Sequence, residues 1–121
     1  MTSPLITVHA VGPVTVVRFA VRHIREFGQA QSLGEQLASL VEDHGCRRVV
    51  VNFAALEVVS ELVISRLLFL RMKLGTVNGR LVLCGMQPVV QQYFEAFRLD
   101  RFFSIFPNEE SALREELAGG E

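Results

Sequence analysis

The sequence has no tryptophan, a single tyrosine and only two cysteines in 121 residues. Cys46 and Cys84 are too few and too far apart for a zinc-type cluster or a disulfide framework, so two independent reduced thiols are expected, with Cys84 buried and Cys46 in a loop. At this length the chain can bury a core without such staples. No apolar run reaches the roughly 20 residues of a membrane span, because Ser65 and Arg66 interrupt the longest one. The first residues lack the charged and apolar regions of a signal peptide, so a cytoplasmic location is expected, with no direct membrane insertion. Neither sign of charge dominates: 12 basic and 13 acidic residues give a net charge of −1. Without a basic stripe, nucleic acid is not an expected partner.

The patterns of catalysis are missing as well. There is no glycine-rich phosphate loop closed by Lys-Ser/Thr and no nucleophile elbow. His9, His23 and His44 form no helical pair and no cluster with glutamate, so no metal site is expected. Glu109-Glu110 and Glu115-Glu116 read as solvated helix charges. The expectation is a protein that is not an enzyme, with no catalytic residues and no cofactor.

What the chain has in quantity is apolar surface. Half of its residues are hydrophobic, and its mean hydropathy is +0.32. That exceeds an average soluble domain and suggests a partner-binding face beyond the core. Apolar runs over 5–9 and 14–19, joined through Gly12-Pro13, predict an antiparallel hairpin. Residues 20–27 read as a loop. Leu33, Leu37, Leu40 and Val41 recur at helical spacing over 29–43, with Gly45 suited to the position after a helix end. A uniformly apolar strand over 48–53 leads through a connector to a helix over 60–74. Ser60 is placed to cap that helix through its hydroxyl, and Glu61 favours the positive end of its dipole. Asn78-Gly79 then precedes a strand over 80–84. Pro88 opens a helix over 88–96, a short strand covers 103–106, and Asn108 caps a helix over 109–117. The tail over 117–121, ending Gly119-Gly120-Glu121, is expected to fray.

The predicted fold class is α/β: a mixed β-sheet opened by an antiparallel hairpin, with about four helices packed mainly on one face, in a single domain over 1–121. Function is expected at the strand-to-helix turn between Asn52 and Ser60, because open α/β sheets bind at the carboxyl ends of their strands.

Several segments resemble one family. They are Val50-Val51-Asn52-Phe53, the turn at 60–64, Asn78-Gly79-Arg80-Leu81-Val82-Leu83, Met86-Gln87-Pro88-Val89-Val90, and Phe97-Arg98-Leu99-Asp100-Arg101-Phe102-Phe103. In order and spacing they look like the STAS domain, which includes the bacterial anti-sigma-factor antagonists, and the resemblance covers most of the chain. The family's usual pattern is a strand ending Asp-Leu-Ser, a hydrophobic pair, then Asp-Ser-Ser-Gly-Leu-Gly opening a helix that closes before Gly-Gly-Arg-Leu-Val-Leu. Asn52 stands where the family has Asp, and Ser60-Glu61-Leu62-Val63 stands where it has Asp-Ser-Ser-Gly. Leu62 therefore occupies the position of the serine that a partner kinase phosphorylates, and leucine carries no hydroxyl. Glu61 adds one negative charge beside it, against about 1.5 to 2 for a phosphoserine.

The resemblance implies the same layered fold and a partner-binding surface at the start of the helix after Ser60. Stepping that helix at about 100° per residue puts Ile64, Leu67, Leu68 and Met72 on a face expected to pack on the sheet. Leu62 and Phe69 fall on the far side, flanked by Arg66 and Lys73. Either another helix covers this stripe, or it is a contact patch with a polar rim. The candidate partner-binding residues are Asn52, Ser60, Glu61, Leu62, Ser65, Arg66, Phe69 and Lys73. The implied role is a signalling interaction domain resembling an anti-sigma-factor antagonist but lacking its usual phosphoacceptor. The partner would be an anti-sigma factor or kinase-like ATPase, or a second copy of the chain as a homodimer. An alternative is a structural subunit in a stressosome-like assembly or a lipid-transport ATPase complex.

Overall fold

The computed structural model describes residues 4–118. Strands β1 (Ile6–Val11) and β2 (Val14–Phe19) form the hairpin and precede helix α1 (Phe27–Glu42). Then follow β3 (Arg48–Asn52), α2 (Glu61–Gly75), β4 (Arg80–Cys84), α3 (Pro88–Ala96), a 3-10 turn (Leu99–Arg101), β5 (Ser104–Phe106) and α4 (Glu109–Ala118). The helix α1 starts two residues before its expected position. Its N-cap is Glu26, and the Gln29 side-chain oxygen accepts the amides of Arg25 and Glu26. That is a capping box written in the sequence as Glu-x-x-Gln. Asn108 caps α4 as expected, its side-chain oxygen accepting the Ser111 amide at 2.8 Å. The expected frayed end, Gly119-Gly120-Glu121, lies outside the described residues.

The five strands stand in the order β1-β2-β3-β4-β5, the first pair antiparallel and the rest parallel. Each helix between parallel strands returns the chain to the same end of the sheet, so the carboxyl ends of β2 to β5 share one edge. Gly12, at φ +58°, supplies the left-handed residue of the two-residue hairpin connection.

Both faces of the sheet are apolar, because the β-branched runs do not alternate with polar residues. Val17, Phe19, Val49, Val51, Leu81 and Leu83 join one core with Leu33 and Leu37 of α1, Leu67 and Leu70 of α2, and Phe94 of α3. Val14, Val16, Val50, Val82 and Cys84 join a second, smaller core with Ala112 of α4. Three helices thus crowd one face, and α4 alone crosses to the other. Each valine side chain left in water would forgo about 1.5–3 kcal/mol, so that second face demands a cover.

Glu116 of α4 is buried, with 1 % of its surface exposed. Its carboxylate lies 3.3 Å from the Arg80 guanidinium, and its backbone carbonyl accepts from Arg48 at 2.7 Å. These contacts pin the last turn of α4 across β3 and β4.

The orientation of α2 corrects the sequence reading. Its buried residues are Val63, Ile64, Leu67, Leu70 and Leu74. Leu68 and Met72, expected beneath the helix, are 36 % and 59 % exposed. The helix is apolar almost all round, so periodicity alone centred the buried face too far toward them. No helix among the described residues is long and apolar enough to cross a membrane.

Candidate functional site

The candidate site lies where β3 gives way to α2. Phe53, Leu56 and Val59 are buried and peg the connector down, while Ala54, Ala55, Glu57 and Val58 stay exposed. Phe53 packs edge-on between the rings of Phe19 and Phe94, at centroid distances of 5.0 and 5.8 Å. The connector is held from both sides. The Gln87 amide donates to the Ala54 carbonyl at 2.9 Å, and the Glu57 backbone amide donates to the Arg22 carbonyl at 2.7 Å.

Asn52 ends β3 with its side chain toward α4. Its Oδ1 accepts the Ala54 amide at 2.8 Å, and its Nδ2 donates to Glu109 Oε1 at 3.0 Å. Arg18, opposite Asn52 on β2, takes both oxygens of the same carboxylate, at 2.9 and 2.8 Å. Gly85, at φ +71°, allows this close arrangement, since a Cβ there would stand 2.7 Å from Asn52 Oδ1.

The Arg18 hydrogen bonds, aided by the one from Asn52, hold the Glu109 carboxyl at about 2, well below the usual carboxylate range. Burial, and then the nearby Glu109 charge, push the Cys84 thiol up to about 12. At neutral pH Glu109 is therefore ionised and Cys84 protonated.

Ser60 is the N-cap of α2, with an extended backbone at φ −137°, ψ 168°. Its carbonyl accepts the amides of Val63 and Ile64 at 3.1 and 3.0 Å. The expected capping bond from its hydroxyl is not made. The Oγ atom is buried without a hydrogen-bond partner among the described residues. The side chain is turned inward, which leaves Glu61 to complement the dipole of the first turn.

The remaining candidates fall on two sides of α2. Glu61 and Ser65 are exposed, and the Ser65 hydroxyl donates to the Leu62 carbonyl at 2.9 Å. With Leu68 they border a groove of about 350 Å³ against Tyr93, Phe97 and Leu99. Leu62 is partly buried and packs on the core. Arg66 lays its stem against Gly34, where a Cβ would meet its Cδ at 3.0 Å. The guanidinium of Arg66 stands 5.9 Å from the Phe27 ring centroid. Lys73 reaches Glu42 Oε1 at 2.7 Å and stands 5.5 Å from the Phe69 ring.

The expected stripe therefore divides. Helix α1 engages Arg66 and Lys73, Leu62 is partly buried against the core, and Phe69 remains 49 % exposed. Asn52 belongs to the Arg18–Glu109 network and makes no hydrogen bond to α2.

The outward ridge of α2 consists of Glu61, Ser65, Leu68, Phe69 and Met72. Phe27 at the start of α1 and Phe97 at the end of α3, 65 % and 64 % exposed, flank it. Sequence reading missed Leu68, Met72, Phe27 and Phe97 as surface residues. Phe27 precedes the capping glutamine and Phe97 follows the last helical turn of α3, positions from which a ring is not drawn into the core. Among the described residues, no three His, Cys, Asp or Glu side chains converge so as to hold a metal ion.

Comparison with known proteins matches residues 8–112 to the STAS domain model. BtrV of Bordetella bronchiseptica, whose name gives it as a candidate anti-sigma factor antagonist, is 38 % identical over 78 residues. That match covers 64 % of this chain and 64 % of BtrV, so the chain spans just under two thirds of the relative's length. Among solved structures, an anti-sigma-factor antagonist (STAS) domain protein from Planctomyces limnophilus superposes with a TM-score of 0.81 at 18 % identity. It covers 91 % of this chain and 96 % of its own. An anti-sigma factor antagonist from Mycobacterium paratuberculosis gives 0.78 at 20 % identity, with 95 % and 97 % covered.

Proposed function

The chain belongs to the STAS domain family, and from that premise we propose that it is a cytoplasmic, non-enzymatic interaction domain of bacterial signalling. It acts as an anti-sigma-factor antagonist does, through protein contact, but without the usual phosphoacceptor serine, whose position Leu62 occupies. The single observation that carries this reading is the exposed ridge of α2. Leu68, Phe69 and Met72, with Phe27 and Phe97 beside them, form an exposed apolar surface along α2. Apolar exposure concentrated on one face marks a contact site rather than ordinary surface.

Leu62 supports the second half of the proposal. It stands at the position of the switch serine, is partly buried against the core, and cannot take a phosphoryl group. Glu61 contributes a fixed charge that no phosphatase removes. Contact through this face is therefore set by the concentration of the partner rather than by modification.

A permanently competent face also suits a subunit of a larger assembly, and the same Leu62 observation favours that second reading. The two differ in what binds. The test incubates the protein with the anti-sigma-factor kinase of its own source and ATP, followed by sizing and intact-mass measurement. A stable complex with unchanged mass, lost in Phe69→Asp, is expected. Stoichiometric phosphate on the 60–65 turn would overturn the proposal. No complex with the kinase would leave the assembly-subunit reading in its place.

A further inference from the structure

The sheet carries an open edge at β1, away from the α2 ridge. The Ala20 amide donates to the Leu5 carbonyl at 2.8 Å, and the register continues as Ile6 with Phe19 through Val11 with Val14. In an antiparallel ladder bonded and non-bonded pairs alternate. Leu5 is a bonded residue, so Thr7, His9 and Val11 direct their amides and carbonyls to β2. Ile6, Val8 and Ala10 direct theirs outward, where no strand among the described residues meets them.

Natural edges are blunted by lysine, proline, bulges or inward charges. This one reads Ile-Thr-Val-His-Ala-Val, with none of these. Val8 points to the α1 side of the sheet and is 46 % exposed. Along that flank of α1 run two adjoining cavities of about 660 and 540 Å³, both bordered by Gln36. The larger is mostly apolar, with Val8, Ala10 and Leu40 in its wall. An edge with free backbone groups and a trough beside it has the form that accepts a sixth strand.

We propose that the sixth strand is β1 of a second copy, paired antiparallel and centred on Val8. In that register Ile6 faces Ala10, Val8 faces Val8, and Ala10 faces Ile6. All three outward residues then pair, forming about six hydrogen bonds between the copies. Registers centred on Thr7 or His9 use only two of the three. A two-fold axis between the Val8 residues makes the contact isologous and closes it at two copies. The strand carries no formal charge with His9 neutral, so no like charges are opposed. Both Val8 side chains enter the trough beside α1, and the two sheets become one of ten strands. The contact uses none of the residues of the α2 ridge.

Sedimentation equilibrium of the full chain tests this, with Val8→Pro as the first variant. Proline at 8 deletes an outward N–H from each copy and no bond of the β1–β2 ladder, so the fold is retained. A reversible dimer is expected for the natural sequence, and a dimer Kd raised about tenfold or more in Val8→Pro. Circular dichroism verifies folding. Should the proline variant unfold, Val8→Lys decides instead, since it keeps the N–H and opposes two ammonium groups across the axis. The proposal is overturned if the natural chain is monomeric up to its solubility limit, which would leave the edge to a strand of another protein. It is equally overturned if a dimer persists with unchanged Kd in the folded variant.

Discussion

Arg18 and Glu109, 91 residues apart in sequence, meet through two parallel hydrogen bonds of 2.9 and 2.8 Å. The pair joins the end of β2 to the first residue of α4, and Asn52 adds a third bond to the same carboxylate. The departure of Asn52 from the family's aspartate thus has a structural counterpart. A carboxylate at 52 would face the Glu109 carboxylate, whereas an amide can donate to it and still accept from Ala54.

Stability should fall in acid through Glu109. Its folded carboxyl titrates at about 2 against an ordinary 4.5. Its contribution is therefore complete above the ordinary value and is lost as pH falls through about 2. Because the Arg18 side chain is half exposed, solvent screening reduces that contribution to roughly 1 kcal/mol. Urea unfolding at pH 7, 4 and 2.5 should show the decline, and Glu109→Gln should flatten it. An unchanged slope in Glu109→Gln would assign the acid sensitivity to other carboxylates.

Asn52→Asp should destabilise the folded chain by about 1–2 kcal/mol at pH 7, replacing a hydrogen bond with a like-charge contact. The penalty should shrink as the pH is lowered and a proton is taken up between the two carboxyls. In Glu109→Gln the same Asn52→Asp change should cost little. A double-mutant cycle reads this coupling directly, and additive effects would separate Asn52 from Glu109.

The strand-helix order was legible because Val49-Val50-Val51 and Leu81-Val82-Leu83 are bounded by turn residues, and the hairpin by Gly12-Pro13. The place of α4 was not read, although the strands implied it. Val14, Val16, Val50 and Val82 lie on the face opposite Val17, Val49 and Val51, so both faces needed cover. The buried side of α2 could not be chosen by period, since Leu67, Leu68, Phe69 and Leu70 are consecutive and apolar. Only packing against α1 and β4 decides that Leu67 and Leu70 go in. The Arg18–Glu109–Asn52 network was beyond sequence reading altogether, because three residues distant in the chain meet only through the sheet register.

The two thiols should react at very different rates. Cys84 is fully buried, and its pKa is pushed up to about 12. Cys46 is half-buried, and its Sγ accepts the Thr15 hydroxyl at 3.1 Å. Titration of native protein with a disulfide reagent should modify Cys46 first, and Cys84 only on unfolding. Two equally fast thiols would mean that α4 opens readily from the second face of the sheet.

The neighbours Phe69 and Leu70 give the sharpest test of the α2 ridge, because one residue of sequence separates water from core. Phe69 is 49 % exposed and Leu70 is 1 % exposed. Phe69→Asp gives up the ring contact with Lys73 but sets a carboxylate four residues before that ammonium, a favourable helical spacing. Its melt should stay cooperative, with a change of about 0.5 kcal/mol or less. Leu70→Asp puts an unpaired charge beneath the helix, costs several kcal/mol and should abolish the melt. Partner binding should vanish in Phe69→Asp although the fold remains, which a lost core contact cannot produce. If instead both variants unfold, Phe69 belongs to the core, and the ridge loses the residue at its centre.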